Sequence, residues 1–369
     1  MEPIRLLKYV TSRSRGGAEQ GVMLEGKELS RRGHDLLFLS PRGRLLTGML
    51  QERGFPVWSP CTFGKIDPIT PLRVALLVRA GRFQLVQTHL STASLLGSLA
   101  ARLAGVPSIA TVHGMNSAFC YRFSTVVITV SDAVRRYLLA QGLPDRKIRV
   151  VRNGIDTSRF VGIPSREEAR AALGIAPDEQ VILYAGRFSP EKGVRLLPAI
   201  LQRLNQGHGS VRLLLLGEGI LKDELFKAFR ECGVKNQVQA AGFQRDTRPF
   251  LAAADLVLMP SYKEGLPRSL MEAMAARLPA VAAAAGGIPE VLESGVTGEI
   301  RPIGDVEGMA QACKEILSNP DQRERMGSAA HRRVHDHFSI QQSVSGLEAV
   351  FEEVLGKRNA RVHTDSIIP

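Results

Sequence analysis

The stretch VILYAGRFSPEKG, residues 181–193, reads as a buried strand that ends in a glycine-bracketed loop. Its first five residues are apolar, and Gly186 and Gly193 enclose a loop that carries Arg187 and Lys192. In open α/β sheets, ligands bind beyond the carboxyl ends of the strands, which is where this loop lies. Two fixed cations suit a diphosphate, whose negative charge grows as it leaves. The stretch therefore predicts a parallel sheet with an anion site at its carboxyl edge.

Short apolar runs alternate with longer amphipathic segments through the rest of the chain. Strands are predicted at residues 4–10, 35–39, 85–88, 108–112, 126–130, 148–151, 181–185, 212–216, 238–241, 256–259 and 280–283. Helices are predicted at residues 17–32, 71–80, 91–103, 132–141, 166–173 and 339–355. This alternation indicates parallel sheets that are covered by helices on both faces.

The alternation breaks around residues 156–178, where Asp and Pro surround a polar helix, and then it restarts. A length of 369 residues suits two domains. We therefore predict an α/β protein with two doubly wound domains. Their bounds, with those of a final helix that crosses back to the first domain and of a tail, are 1–160, 161–338, 339–357 and 358–369.

The net charge of +12 is concentrated in the first domain. Residues 1–160 hold 23 Lys and Arg against 10 Asp and Glu, a balance of +13, and the remainder carries −1. A basic domain suits an anionic lipid surface, an anionic acceptor or nucleic acid, although a solvated basic surface is the simpler alternative. Candidate cations are Arg13, Arg15, Arg42, Arg44, Arg73, Arg79 and Arg82.

Two classes of protein are disfavoured by the sequence. A nucleic-acid-binding protein would interleave basic with aromatic residues, but one Trp and five Tyr leave little for base stacking. A nicotinamide-dependent oxidoreductase would carry GxGxxG and an acidic residue about 20 positions later, and neither is present. The four scattered cysteines lack metal-ligand spacing, and no apolar run approaches the length of a signal peptide core or a membrane span. We expect a cytoplasmic protein without a metal site.

A second cluster of candidate residues is PSYKEGLPRSLMEAMA, residues 260–275. Glu264 is predicted to lie in the loop after a buried strand, and Glu272, eight positions later, on the strongly apolar helix that follows. Two helical turns would place both carboxylates on roughly one face. Each carboxylate can accept two hydrogen bonds, which suits sugar hydroxyls.

Further candidates stand at the ends of other predicted strands. Gly16 and Gly17 open a helix whose N-terminus favours a phosphate, and Gly217 and Phe243 follow strands of the second domain. In the first domain, His113 of TVHG and His89 of VQTHL stand just beyond two strands. A histidine there can donate to a sugar hydroxyl or move a proton.

The motifs GRFSPEKG at 186–193 and EGLPRSLME at 264–272, together with GGAE at 16–19 and VRNGID at 151–156, resemble glycosyltransferase family 4. Members of this family are retaining enzymes of the GT-B fold, in which two Rossmann-like domains face a cleft. The resemblance implies that Arg187 and Lys192 bind the diphosphate of a nucleotide-sugar donor. It implies that Gly17 approaches the donor phosphates, that Glu272 binds the ribose, that Glu264 and His113 contact the sugar, and that Phe243 lies near the base. The further residues expected to bind the donor are Gly16, Gly217, Gly265 and Leu266.

The function that the resemblance implies is transfer of a sugar, with retention, from a nucleotide-sugar donor to a glycolipid, a polysaccharide or another glycan acceptor. No DxD metal motif is present, so side-chain cations are expected to do the work of a metal ion. Only about a dozen residues separate His113 from the next predicted strand, which implies a compact acceptor pocket. Lipid-linked acceptors would bring the protein to the inner face of the cytoplasmic membrane. The rival within this fold is a nucleotide-sugar epimerase, which would need several catalytic acids in the acid-poor first domain.

Overall fold

The computed structural model describes residues 1–12, 16–61, 67–206 and 210–365, with side chains as far as residue 356. Arg13, Arg15 and the end of the predicted tail, 366–369, lie outside the described residues. The chain forms two compact units, Met1–Gly154 with Ile340–Pro369, and Ile155–Ser339. The division falls slightly before residue 160, because the Ile155 N–H donates to the Phe338 carbonyl of the second unit at 2.9 Å.

The first unit is a seven-stranded parallel sheet with helices on both faces. Strands β1–β7 are Arg5–Val10, Asp35–Leu39, Val57–Trp58, Leu85–His89, Ser108–Val112, Val126–Thr129 and Ile148–Val150. Helices α1–α5 are Gly17–Arg31, Leu45–Gln51, Ile69–Ala80, Ser91–Ala104 and Asp132–Leu139. The strand order is β3-β2-β1-β4-β5-β6-β7, so the chain changes direction across the sheet between β1 and β4.

The second unit is a six-stranded parallel sheet. Strands β8–β13 are Gln180–Ala185, Val211–Leu216, Val238–Gly242, Leu256–Met259, Ala280–Ala283 and Gly298–Arg301. Helices α6–α13 are Arg166–Leu173, Leu197–Leu204, Lys222–Glu231, Arg248–Ala253, Arg268–Ala275, Ile288–Val291, Val306–Ser318 and Pro320–His337. The order β10-β9-β8-β11-β12-β13 is that of a nucleotide-binding doubly wound sheet. Two doubly wound parallel sheets confirm the predicted fold class.

The last helix, α14 (Ile340–Asp365), belongs to the first unit. Its apolar residues are buried together with residues of β1, α1 and α2, and they are Ile340, Val344, Leu347, Val350, Phe351 and Val354. An ion pair of 2.5 Å between Arg32 and Glu348 ties it to the end of α1. The helix runs into the segment predicted as a tail at 358–369, because no proline or glycine follows Gly356 before residue 369.

The two faces of the first sheet hold separate apolar cores. Alternate residues of β1 point to opposite sides, so that Leu6 faces α1, α2 and α14 while Leu7 faces α3 and α4. Within the described part of the chain, no helix combines the length and the apolar character that a bilayer span requires.

Candidate functional site

The second sheet changes direction between β8 and β11, and the predicted cationic and acidic residues lie at that point. β8 and β11 are neighbours in the sheet, with Ile182 opposite Leu256. The connection after β8 leads to β9 on one side of this pair, and the connection after β11 leads to β12 on the other side. Loops that diverge in this way leave a crevice at the carboxyl ends, where α/β sheets bind ligands. The loop after β8 carries Arg187 and Lys192, and the loop after β11 carries Glu264.

Lys192 and Glu264 are joined although 72 positions separate them in the chain. The Lys192 ammonium donates to both carboxylate oxygens of Glu264, at 2.7 and 2.8 Å, and the Ser261 hydroxyl donates to Glu264 Oε1 at 2.8 Å. The Glu264 side chain is 6% exposed, whereas that of Lys192 is 28% exposed. The Glu264 carboxylate is therefore held in place by Lys192 and Ser261. The Lys192 ammonium has three N–H donors, two of which bind Glu264, so the third can donate to one further acceptor on its exposed side.

Arg187 stands at the exposed start of the same loop. Its carbonyl accepts a hydrogen bond of 3.1 Å from the buried Tyr184 hydroxyl, which fixes the backbone from which its side chain projects. Burial acts to raise the pKa of Glu191, but a backbone hydrogen bond and the charges of Arg187 and Lys192 leave that pKa lowered. Both cations therefore act on one small region, as a diphosphate site requires.

Three glycines let the loops at this edge approach one another. Gly193, Gly217 and Gly286 have φ values of +66°, +131° and +55°. A Cβ at Gly193 would collide with the Pro260 carbonyl, and one at Gly286 would collide with the Glu264 carbonyl. Side-chain-free backbone is thus required on both sides of the Glu264 loop.

Glu272 lies on α10, half-buried among apolar neighbours. Burial raises its pKa, and the charges of Arg268 and Arg159 oppose that shift. As predicted, Glu264 lies in the loop after β11 and Glu272 lies on the helix that follows, and α10 begins at Arg268. Pro267 disfavours helical conformation in the residue before it, so the helix cannot extend back to Glu264.

The other predicted residues of the second unit lie along the same sheet edge. Gly265 and Leu266 are buried beside Glu264. The Gly217 N–H donates to the Gly242 carbonyl at 2.8 Å, which joins the ends of β9 and β10. Phe243 is 42% exposed and follows β10, the edge strand that β9 separates from β8. Phe243 therefore lies at the carboxyl edge of the sheet, but it does not follow β8 or β11, the two strands at the direction change.

In the first unit, Gly16 and Gly17 follow β1 and His89 ends β4, the two strands at the direction change, whereas His113 follows the next strand, β5. Gly16 caps α1 in an extended conformation and Gly17 begins the helix, directly after the loop that leaves β1. His89 ends β4 and His113 follows β5, and the two imidazoles are hydrogen-bonded, Nδ1 of His89 to Nε2 of His113, at 3.0 Å. The structure thus brings the two predicted histidines together.

Sequence reasoning missed two polar contributors. Ser261 supports Glu264, and nothing in PSYKEG distinguishes it from an ordinary loop serine. Lys8 is a fully buried lysine inside the apolar strand RLLKYV. A charged residue at a buried position of a strand was a usable signal, because such residues are almost never fully buried unless they are paired.

Two family models match most of the chain. The model described as Glycosyltransferase Family 4 matches residues 15–159, and the model described as Glycosyl transferases group 1 matches residues 165–333.

Named relatives of this chain include a glycosyltransferase and a synthase. The lipopolysaccharide core biosynthesis glycosyltransferase LpsE of Rhizobium meliloti is 36% identical over 194 residues, which are 53% of this chain and 54% of the relative. The N-acetyl-alpha-D-glucosaminyl L-malate synthase of Bacillus anthracis is 24% identical over 89% of this chain and 92% of the relative. The chain thus spans about half the length of the first relative and most of the second.

Solved structures with the same fold include a glycosyltransferase from Rickettsia africae, with a TM-score of 0.87, 20% identity and coverage of 96% of this chain and 99% of that one. Anabaena Alr3699/HepE, solved in complex with UDP-glucose, has a TM-score of 0.85, 23% identity and coverage of 95% and 100%. These likenesses show the GT-B fold.

Proposed function

This chain belongs to glycosyltransferase family 4, and from that premise we propose that it moves a sugar from a nucleotide-sugar donor to a glycan or lipid-linked acceptor with retention of configuration. The observation that carries the proposal is the arrangement of Arg187, Lys192 and Glu264 at the direction change of the second sheet. Two cations and an oriented carboxylate there suit a diphosphate and the hydroxyls of its sugar.

In the proposed reaction, the bond between the anomeric carbon and the diphosphate oxygen breaks, and the electron pair leaves with the diphosphate. The acceptor oxygen bonds to the anomeric carbon on the face that the diphosphate leaves, and its proton passes to an oxygen of the departing diphosphate. Arg187 and Lys192 stabilise the charge that develops on the leaving group. Glu264 is held by Lys192 and Ser261, so it accepts from sugar hydroxyls rather than attacking the sugar.

The donor is proposed to be a nucleoside diphosphate sugar, with UDP-glucose as the first probe because Alr3699/HepE was solved with that ligand. Its ribose would meet Glu272, and its base would lie near Phe243. The acceptor is proposed to be a polysaccharide or glycolipid precursor, which the likeness to LpsE supports. Retention follows from the family resemblance, and the anomeric proton coupling of the product would test it.

We propose that the side-chain cations replace a metal ion in this reaction. Across the described residues, no three His, Cys, Asp or Glu side chains gather as metal ligands would. The charge work therefore falls to Arg187 and Lys192.

The first unit is proposed to meet an anionic membrane surface from the cytoplasmic side, and α3 supports this proposal. Ile69, Leu72 and Leu76 are 47%, 56% and 66% exposed, and at 100° per residue they form one narrow stripe on the helix. Arg73 and Arg79 are exposed on either side of the stripe. An apolar stripe flanked by arginine is the pattern of a helix that lies in the plane of a bilayer interface.

The donor proposal is tested by the shift in melting temperature on adding UDP-glucose, other nucleotide sugars and free UDP. A ligand present at 100 times its dissociation constant should stabilise the protein by about 2.7 kcal/mol. The stabilisation should be lost in Lys192→Ala and kept in Arg195→Ala, a neighbouring exposed cation that pairs with Glu224. If no nucleotide or nucleotide sugar shifted the melting temperature, the assignment of the donor site would fail.

A further inference from the structure

A cluster of buried polar side chains lies between the first sheet and α1. The Lys8 ammonium is fully buried and donates to Glu25 Oε1 at 2.5 Å and to Gln87 Oε1 at 2.6 Å. Gln87 Nε2 donates in turn to Glu25 Oε1 at 2.8 Å. Lys8 and Gln87 are opposite one another on β1 and β4, so the cluster joins both strands to the helix.

His89 continues this cluster towards the carboxyl edge of the sheet. It lies two residues after Gln87 on β4, on the same face of the sheet, and its side chain is fully buried. Its Nδ1 is 3.0 Å from Nε2 of His113, and the rings are stacked with centroids 5.3 Å apart. One hydrogen bond joins the two rings, so one of these nitrogens carries the proton and the other accepts it.

The surroundings of His89 decide which nitrogen donates. Burial, and then the charge of Lys8, hold the pKa of His89 well below its ordinary value, so the ring is neutral. Nε2 of His89 is buried and meets no hydrogen-bond partner among the described residues. A proton on Nε2 would be a buried donor without an acceptor, which is rarer in proteins than an acceptor without a donor. The neutral ring therefore carries its proton on Nδ1.

We propose that His89 is a positioning residue that donates its Nδ1–H to Nε2 of His113 and so holds His113 as the neutral Nδ1–H tautomer. Protonation of His113 would place a second N–H against that of His89, and the buried Lys8 disfavours a further positive charge nearby. His113 is thereby kept as a hydrogen-bond donor through Nδ1. This inference rests on the proposed function: in that reaction, His113 donates a hydrogen bond to a sugar hydroxyl and does not transfer a proton.

The tautomer is tested first in the whole protein without any ligand, by nitrogen NMR of a sample with ¹⁵N-labelled histidine. His89→Asn and His113→Gln identify the two rings. We expect His113 to carry its proton on Nδ1 alone from about pH 6 to pH 8, the range in which an ordinary histidine titrates. In His89→Leu, the preference of His113 for the Nδ1–H tautomer should weaken. A proton on His113 Nε2 in the native protein at neutral pH would overturn the proposal.

The second test measures UDP-glucose hydrolysis or transfer. His89→Leu should lower kcat roughly tenfold, as loss of one buried hydrogen bond does, with KM little changed. His89→Asn should recover most of the rate, because the Asn amide nitrogen stands where Nδ1 stood, and His89→Gln should not. In a His113→Ala background, His89→Leu should change kcat less than about twofold, since the residue acts through His113.

An equal loss of rate in both backgrounds would overturn the positioning role. Melting temperatures of the variants separate this loss from unfolding. If UDP-glucose is not turned over by any form of the protein, the donor proposal fails while the NMR result still decides the tautomer of His113.

Discussion

Arg187 and Lys192 carry the same charge in different surroundings. Lys192 is bound to a nearly buried carboxylate, whereas Arg187 is exposed at the start of the loop. A planar guanidinium can bind two phosphate oxygens at once, whereas an ammonium acts as a point charge. We infer that Arg187 orients the diphosphate and that Lys192 links its charge to the carboxylate that holds the sugar.

Replacing either cation should slow the reaction strongly. Arg187→Ala or Lys192→Ala should each cost about 2–4 kcal/mol of transition-state stabilisation, as loss of a single oxyanion donor does. The measurement is kcat/KM with UDP-glucose, and Arg195→Ala is the matched control, because its exposed pair with Glu224 is worth little. Near-normal turnover in both site variants would remove the diphosphate assignment.

Glu272 should matter for the nucleotide and not for the fold. Burial raises the pKa of this carboxyl, so its charged form is disfavoured in the folded protein and stability falls as the pH rises through that pKa. Glu272→Gln removes this cost and also one charged partner of the ribose hydroxyls. By calorimetry, UDP should bind more weakly while the melting temperature at neutral pH is kept or increased.

The native affinity should also fall on acidification, at a higher pH than an ordinary Glu would cause, because the raised pKa protonates Glu272 earlier. Unchanged UDP affinity in Glu272→Gln would refute the ribose role.

Among the helices, α3 is the element with the most unusual exposed face. A single exposed leucine is ordinary, but a stripe of apolar side chains flanked by arginine is stabilised when it is buried at an anionic membrane interface. Leu72→Ser with Leu76→Ser should reduce co-sedimentation with vesicles of anionic lipid at least tenfold, because burial of each leucine is worth about 1.5–3 kcal/mol. Leu45→Ser is the matched control, since Leu45 is 51% exposed on α2, which packs on the opposite face of the sheet.

The contribution of charge to vesicle binding is separable from that of the leucines. Arg73→Gln with Arg79→Gln should make binding less sensitive to salt, at about 1 kcal/mol for each cation near the surface. If the native protein did not co-sediment with anionic vesicles at low salt, the membrane proposal would fail, and the transferase proposal would be unaffected.

Elements with a clear apolar signal were predictable, and two edge strands that lack such a signal were not. Strands 35–39, 256–259 and 280–283 were predicted with their observed bounds, because buried parallel strands are nearly continuous apolar runs. β3 is two residues long, and β13 reads GEIR, so neither has a run to recognise. Each is a sheet edge that needs only backbone pairing with its inner neighbour.

The candidate site was predictable in its residue types but not in its pairings. Strand-end loops pointed to Arg187, Lys192 and Glu264 separately. The bond between Lys192 and Glu264 depends on β8 lying beside β11, which the order of the strands along the chain does not show. The join between His89 and His113 likewise depends on β4 lying beside β5.

At the scale of the whole molecule, transfer should not depend on added metal. If Arg187 and Lys192 do all of the charge work, turnover of UDP-glucose in excess EDTA should stay within about twofold of the untreated rate. Loss of activity that magnesium or manganese restored would show that the leaving group needs an ion as well.

The late position of α14 in the chain affects how the first unit folds during synthesis. The first unit consists of Met1–Gly154 and a helix that begins at Ile340, so the apolar core that α14 shares is complete only once this helix has been translated. The residues between Gly154 and Ile340 are translated at about 5–20 residues per second, so the face that α14 covers stays exposed for on the order of 10–40 seconds. The second unit is one continuous segment and can fold meanwhile. Nascent chains stalled before Ile340 should therefore present an uncovered apolar surface that chaperones can bind, and chains stalled after α14 has left the ribosome should not.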